Sequence, residues 1–184
     1  MGFHTYPVER ADGLDDPTRY AYLSAEELLF ALDPAPDATV ADLGSGTGFY
    51  TDDVASHVGT LHAVDVQSGM HDRYRERGVP DDVRLVTAEV ADLPFDAGGL
   101  DGAFSTMTYH EFGSERSLDE LARVLRPGGR LAIADWTANG TGERGPPTDE
   151  RFTLAAATDA LSGAGFDVKR ADERRETFVL AARR

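Results

Sequence analysis

Three glycines, Gly44, Gly46 and Gly48, alternate with small polar residues in the stretch VADLGSGTGFYT, between an apolar run and a segment of helical character. Glycine turns readily at positive φ and lets a ligand approach the backbone, so a loop of this composition is a binding loop. Its ligand can be narrowed by elimination. The dinucleotide fingerprint needs G-x-G-x-x-G, but here the third position is Phe49 and the spacing is G-x-G-x-G. A phosphate loop needs Gly-Lys-Ser/Thr, yet no lysine or arginine lies between residues 20 and 72. Acids surround the loop instead: Asp42 before it, Asp52 and Asp53 after it, and Asp65 at the end of the next apolar run. A ligand with a positive centre and ribose hydroxyls suits such surroundings. Asp65 lies about 20 residues beyond the first glycine, where an acid accepts hydrogen bonds from a ribose. Taken alone it reads equally as a solvated acid; the glycine pattern and the strand before it favour the ribose.

A second group of candidates is Tyr109, His110 and Glu111. His110 has the side chain for a general base near neutral pH. The competing reading is that His110 and Glu111 only hold their loop by hydrogen bonds. The other histidines, His4, His57, His62 and His71, are scattered, and HEFGS has no second histidine at helical spacing, so no metal site is expected. The absence of cysteine excludes disulfides, thiolate metal sites and a cysteine nucleophile. Trp136 ends an apolar run and reads as core or pocket wall.

The elements that must position these residues alternate. Apolar runs at ATVADL, TLHAVDV, DVRLVTA, GLDGAFSTMT and GRLAIADW read as strands. Helical patterns follow at 17–32, at 49 to about 57, over SGMHDRYRER and over SERSLDELARVLR, with Leu118, Leu121, Val124 and Leu125 at helical spacing. A Gly/Pro-rich loop, 137–148, leads to a last helix in RFTLAAATDALSGAG, and FDVKRA and ETFVLAA close the chain as an antiparallel pair. The expected fold is α/β: a Rossmann-like doubly wound sheet, mostly parallel with a C-terminal antiparallel strand, forming one domain over 1–184. Residues 1–32 form an N-terminal helical or lid segment and 38–184 the core. Ligands bind such sheets at the carboxyl ends of the strands, where the glycine loop, Asp65, Glu89, Thr106 to Glu111, and Asp135 with Trp136 all fall.

These motifs resemble those of the class I S-adenosylmethionine-dependent methyltransferases over most of the chain. VADLGSGTGFYT is similar to their first motif, AVDVQSGM to the second, VTAEVADLPF to the third and LDELARVLRPGGRLAIADW to the strand-five region. ERADGLDDPTRYAYLSAEELL, YHEF and DW…GPPTDER further resemble a small stand-alone subfamily similar to ubiquinone/menaquinone-type enzymes. The resemblance implies S-adenosylmethionine as cofactor. It implies that Asp42, Gly44, Ser45, Gly46 and Gly48 surround the methionyl part and that Asp65 takes the ribose. Val66 and Met70 would pack on the adenine, Glu89 and Val90 would meet its polar edge, and Thr106 would pass the sulfonium. Methyl transfer is then an in-line displacement in which the protein aligns the reactants. Two other classes remain open: a non-catalytic adenosylmethionine-binding regulatory module, and an NAD-dependent oxidoreductase. With no inserted domain to grip a macromolecule, a small-molecule acceptor is expected. The aromatic N-terminal stretch (Phe3, His4, Tyr6, Tyr20, Tyr22) and loop 137–148 are the segments available to cover it.

Composition bounds the setting. The 184 residues carry 33 Asp+Glu against 18 Lys+Arg, a net charge of −15, and Lys169 is the only lysine. An acidic surface repels phosphate backbones, so nucleic acid is not an expected partner. No apolar run approaches membrane-spanning length, and MGFHTYPVERADGLDD lacks the pattern of a signal peptide, so a cytoplasmic location is expected. Lysine-poor acidity further suggests a halophilic acidic surface, adapted to a salt-rich interior. Salt shortens the range of carboxylate repulsion to a few Å. The melting temperature should therefore rise between low and molar salt; an unchanged value in thermal melts would mean the acidity serves solubility alone.

Overall fold

A computed structural model describes residues 5–184; Phe3 and His4 lie outside the described residues. Apolar runs of five to seven residues between breakers form β1 (Thr39–Leu43), β2 (Thr60–Asp65), β3 (Val83–Thr87) and β4 (Leu100–Thr106). They are followed by the longer β5 (Leu125–Trp136), then β6 (Asp167–Glu173) and β7 (Thr177–Arg183). The helices are α1 (Ala25–Leu32), α2 (Phe49–Ala55), α3 (Ser68–Arg77), α4 (Tyr109–Phe112), α5 (Glu115–Val124) and α6 (Leu154–Gly163). The strands form one sheet in the order β3-β2-β1-β4-β5-β7-β6. β1 to β5 pair in parallel, and β7 runs antiparallel between β5 and β6. This is the doubly wound architecture expected from the alternating pattern.

The chain winds outward from β1 through β2 to β3, then returns to the other side of β1 for β4. The reversal of strand order opens a crevice above the carboxyl ends of β1 and β4. Alternate side chains of the central strands serve opposite faces. Ala41 and Leu43 pack with Leu118, Leu121, Val124, Ile133 and Leu161 under α5 and α6. Val40 and Phe104 pack with Leu28, Leu32, Tyr50, Val54 and Tyr74 under α1, α2 and α3.

Three boundaries differ from the pattern. The helical region 17–32 is two pieces: a 3-10 turn over Pro17–Ala21, then α1. Ser24 breaks them apart, accepting from Glu27 N while the Glu27 carboxylate accepts from Ser24 N, a reciprocal cap that starts a new helix. Leu125 opens β5 instead of closing α5, and Arg-Pro-Gly-Gly is absorbed as an irregularity between the Leu100–Leu125 and Gly102–Arg130 pairs. The segment after β4 makes one helical turn, α4, where an open loop was expected. No helix among the described residues is long and apolar enough to cross a membrane.

Gly48 caps α2 at φ +86°, and a Cβ there would lie 2.1 Å from the Tyr74 ring. The glycine thus lets α2 and α3 close on each other. Gly48→Ala should destabilise the protein by about 1–3 kcal/mol through overpacking, read as a lower denaturant midpoint with an unchanged slope.

Candidate active site

The β1–α2 loop is shaped by its own amides. Gly44 N and Ser45 N both donate to Val64 O at 2.9 Å, which ties the loop to the end of β2. Gly46 N donates to one carboxylate oxygen of Asp65 at 2.9 Å, and Gln67 N donates to the other at 2.8 Å. Burial raises the pKa of Asp65, and these two amide bonds oppose the rise. The Asp65 carboxylate is therefore fixed at the strand end with lone pairs left for a ligand. Gly44 permits a close approach on the other side: a Cβ would sit 2.3 Å from Thr108 Cγ2.

These elements border one cavity of about 1100 Å³ at the carboxyl ends of the strands. Gly44, Ser45, Gly46, Asp65, Val66, Met70, Glu89, Val90 and Thr106 all line it. Two of the residues assigned to the methionyl part do not. Asp42 is buried behind the loop, accepting from Thr51 Oγ1 at 2.6 Å, and its burial pushes its pKa up to about 7. Gly48 faces Tyr74.

Tyr109 is corrected as well. Its ring is fully buried against Phe112 and Phe152, and it does not line the cavity. His110 and Glu111, the next two residues of α4, both line the cavity. His110 Nδ1 lies 3.0 Å from both carboxylate oxygens of Asp135, which also accept from His110 N at 2.6 Å and Trp136 N at 2.8 Å. Burial pulls the His110 pKa down, but the bond to Asp135 and the charges of Asp135 and Glu111 leave it raised. Burial pushes Glu111 up to about 7.

Three functional side chains were not legible beforehand. Asp135 was placed at a strand end but given no role, since its pairing with His110 spans 25 residues. Arg19 reaches the cavity from the N-terminal segment. One donor goes to Leu14 O at 2.6 Å, and the guanidinium lies 5.1 Å from the centroids of both Phe49 and Tyr50. It forms no ion pair among the described residues. Arg151 donates to the carbonyls of Pro146, Thr137 and Arg144, and so clamps loop 137–148 against Trp136. Trp136 in turn packs on Tyr22 with ring centroids 4.8 Å apart, and both line the cavity.

The N-terminal segment is tied to the loops at the strand ends. Tyr6 O accepts from Gln67 Nε2, and the Asp15 carboxylate accepts from Thr47 Oγ1 and Arg77. The segment therefore lies across the glycine loop and α3.

Residues 41–133 match the family model described as a methyltransferase domain. Over 107 residues the chain is 35% identical to a demethylmenaquinone methyltransferase of Corynebacterium kroppenstedtii, covering 58% of this chain and 45% of that protein. The chain thus spans about half the length of the curated relatives it matches. The structure is similar to a SAM-dependent methyltransferase of Aquifex aeolicus, with a TM-score of 0.88 and 29% identity, covering 97% of this chain and 99% of that one. It also shares the fold of a methyltransferase from Haloferax volcanii solved with the activator Trm112, at a TM-score of 0.80 and 20% identity, covering 96% of each chain. The glycine loop, the clamped Asp65 and the matched model agree: the chain belongs to the class I S-adenosylmethionine-dependent methyltransferases.

Proposed function

We propose that this chain binds S-adenosylmethionine and transfers its methyl group to a small-molecule acceptor by in-line displacement. The observation that carries the reading is the Asp65 carboxylate, held by Gly46 N and Gln67 N at the rim of a cavity large enough for a nucleoside and a second molecule. The residues present fit the cofactor. Ser45 Oγ is buried without a partner on the cavity wall, left for a ligand's donor. Arg19 supplies the cation that a methionyl carboxylate needs, in a half-buried place with donors to spare. Asp65 would accept from the ribose hydroxyls, with Val66, Met70, Glu89 and Val90 along the adenine. The bound sulfonium supplies an electrophilic methyl group. The protein's task is then to orient the acceptor and exclude water, and orientation alone can lower such a barrier by about 7–11 kcal/mol.

The acceptor end is walled by Tyr22, Met107, Phe112 and Trp136, with His110 and Glu111 among them. This largely apolar wall supports a small, partly apolar acceptor, as does the relative named for a quinone-type substrate. The acidic surface speaks against nucleic acid, and a cytoplasmic setting agrees with it.

Calorimetry in molar salt should show binding of S-adenosylmethionine or S-adenosylhomocysteine and none of NAD; the opposite pattern would overturn the reading. Asp65→Ala should cost about 1.5–3 kcal/mol of cofactor affinity, the usual loss for hydrogen bonds to a charged group. Arg19→Met, which keeps the contact with Phe49 and Tyr50, should weaken binding about tenfold through the lost carboxylate partner.

A further inference from the structure

The acceptor's chemistry is written in how His110 is held. Asp135 is completely buried, and three donors converge on its two oxygens: the amides of His110 and Trp136 and the ring Nδ1 of His110. A carboxylate so placed accepts only, so Nδ1 must carry the proton. Nε2 is then the nitrogen with the free lone pair, and it is the one turned from Asp135. Its charged neighbour is the Glu111 carboxylate, at 3.9 Å. His110 is itself half-buried, and its ring is fixed by α4 and β5 together. A histidine needed only to pin α4 would gain little from this, because its amide already binds Asp135 at 2.6 Å. Orienting an imidazole through its Nδ1 is how a fold presents a base at Nε2.

We propose that His110, positioned by Asp135, is the general base of this site, and that its acceptor is an aromatic hydroxyl methylated on oxygen. The proposal rests on the methyl-transfer reading above. A neutral amine displaces a methyl group with its own lone pair and needs no base in the transition state. A hydroxyl is a poor nucleophile until its proton leaves, so the dyad is of use to an O–H acceptor. The wall beside it suits a flat apolar ring: Trp136 packed at a tilt on Tyr22, with Phe112 and Met107. In the step, an oxygen lone pair forms the O–CH3 bond, the S–CH3 electron pair returns to sulfur, and the hydroxyl proton passes to Nε2 of His110. The imidazolium so formed is stabilised by Asp135 and by Glu111, and Glu111 stands on the cavity wall as the next proton acceptor toward solvent. The other charges facing the pair are Glu150 and, toward Glu111, Asp65; the amide of Tyr6 also donates to Glu111. The charges that act on His110, those of Asp135, Glu111 and Glu150, are negative and favour the imidazolium.

The test uses the full chain with S-adenosylmethionine and three sets of matched arenes: hydroxyl (catechol, naphthol), amino and thiol. Product is read by mass spectrometry, with S-adenosylhomocysteine binding by calorimetry as the control. Hydroxyarenes should be methylated on oxygen at a rate that depends on His110, whereas any methylation of the amino and thiol sets, whose nucleophiles need no added base, should not depend on it. The base acts only when unprotonated, so the rate should rise with pH through the His110 pKa, above the usual value of about 6.5, and then level. His110→Gln should lower the plateau at least about 100-fold, abolish that rise and leave S-adenosylhomocysteine affinity unchanged. Asp135→Asn should move the rise to lower pH as well as slow the reaction, whereas a purely structural Asp135 would slow it without moving the rise. Nitrogen-15 spectra of the ligand-free protein give an activity-independent reading: His110 should be protonated at Nδ1, with a raised pKa. A protein that binds S-adenosylhomocysteine but methylates no hydroxyarene, or a His110 protonated at Nε2 instead, overturns this proposal and leaves the cofactor reading standing. Failure to bind S-adenosylhomocysteine overturns the cofactor reading.

Discussion

Two backbone amides, Gly46 N and Gln67 N, end on the two oxygens of Asp65, and most of the site follows from that clamp. It joins the β1–α2 loop to the β2–α3 loop across adjacent parallel strands. Because β1 and β2 pair in register from Thr39–Thr60 to Leu43–Val64, both strands end at the same height, and one side chain can bridge their loops. The bridge uses the acid twice: once to complete the loop's hydrogen bonds, and again to present lone pairs to a ligand. Glycine at 44 and 46 is required because both positions have positive φ, and Gly44 has Thr108 against its α-carbon. The loop, the strand register and the acid are thus one constraint expressed at three places.

A similar construction recurs on the other side of the crevice. Asp135 lies one residue before the end of β5 as Asp65 lies at the end of β2, and it too accepts from amides, those of His110 in α4 and of Trp136. A buried carboxylate without such donors would be costly. For Asp65 they come from residues just past β1 and β2, Gly46 and Gln67. The difference lies in the third ligand of each acid. Asp65 keeps capacity toward the cavity, whereas Asp135 spends it on the ring of His110. One acid therefore faces the cavity directly, and the other works through a side chain.

What could be read from the sequence divides along the range of the interactions. The glycine loop, the strand before it and the acid beyond it lie within 27 residues, Thr39 to Asp65, and have their own spacing, so fold and family were both legible there. The parallel sheet followed from alternation, and even the C-terminal antiparallel pair was marked by its short polar link. Tyr109 was misplaced because a one-turn helix after a strand has no periodicity from which to read a buried face. Arg19 was missed because it enters from before β1, outside the window in which cations are absent; its site exists only once the N-terminal segment folds over Phe49 and Tyr50. Pro127 and Gly128 were left between a helix and a strand, although β5 runs through them, because the pairing with β4 resumes after a shift.

The chain's acidity separates into two populations with different physics. Most ion pairs lie on the surface, such as Arg73–Glu76 and Arg75–Asp72 on α3, where solvent screening leaves each worth little. The buried acids are few, Asp42, Asp65 and Asp135, and all three lie at the carboxyl ends of parallel strands. Their partners are amides, a threonine hydroxyl and a histidine, and no lysine or arginine forms an ion pair with any of them. An arginine partner would neutralise the acid and fill the space beside it, whereas a hydrogen bond from an amide fixes the acid and leaves its charge facing outward. The surface acids can therefore vary with the solvent without disturbing the crevice. Asp65 and Asp135 are tied to the strand ends by geometry, which keeps the negative potential where a sulfonium or an imidazolium would gain from it.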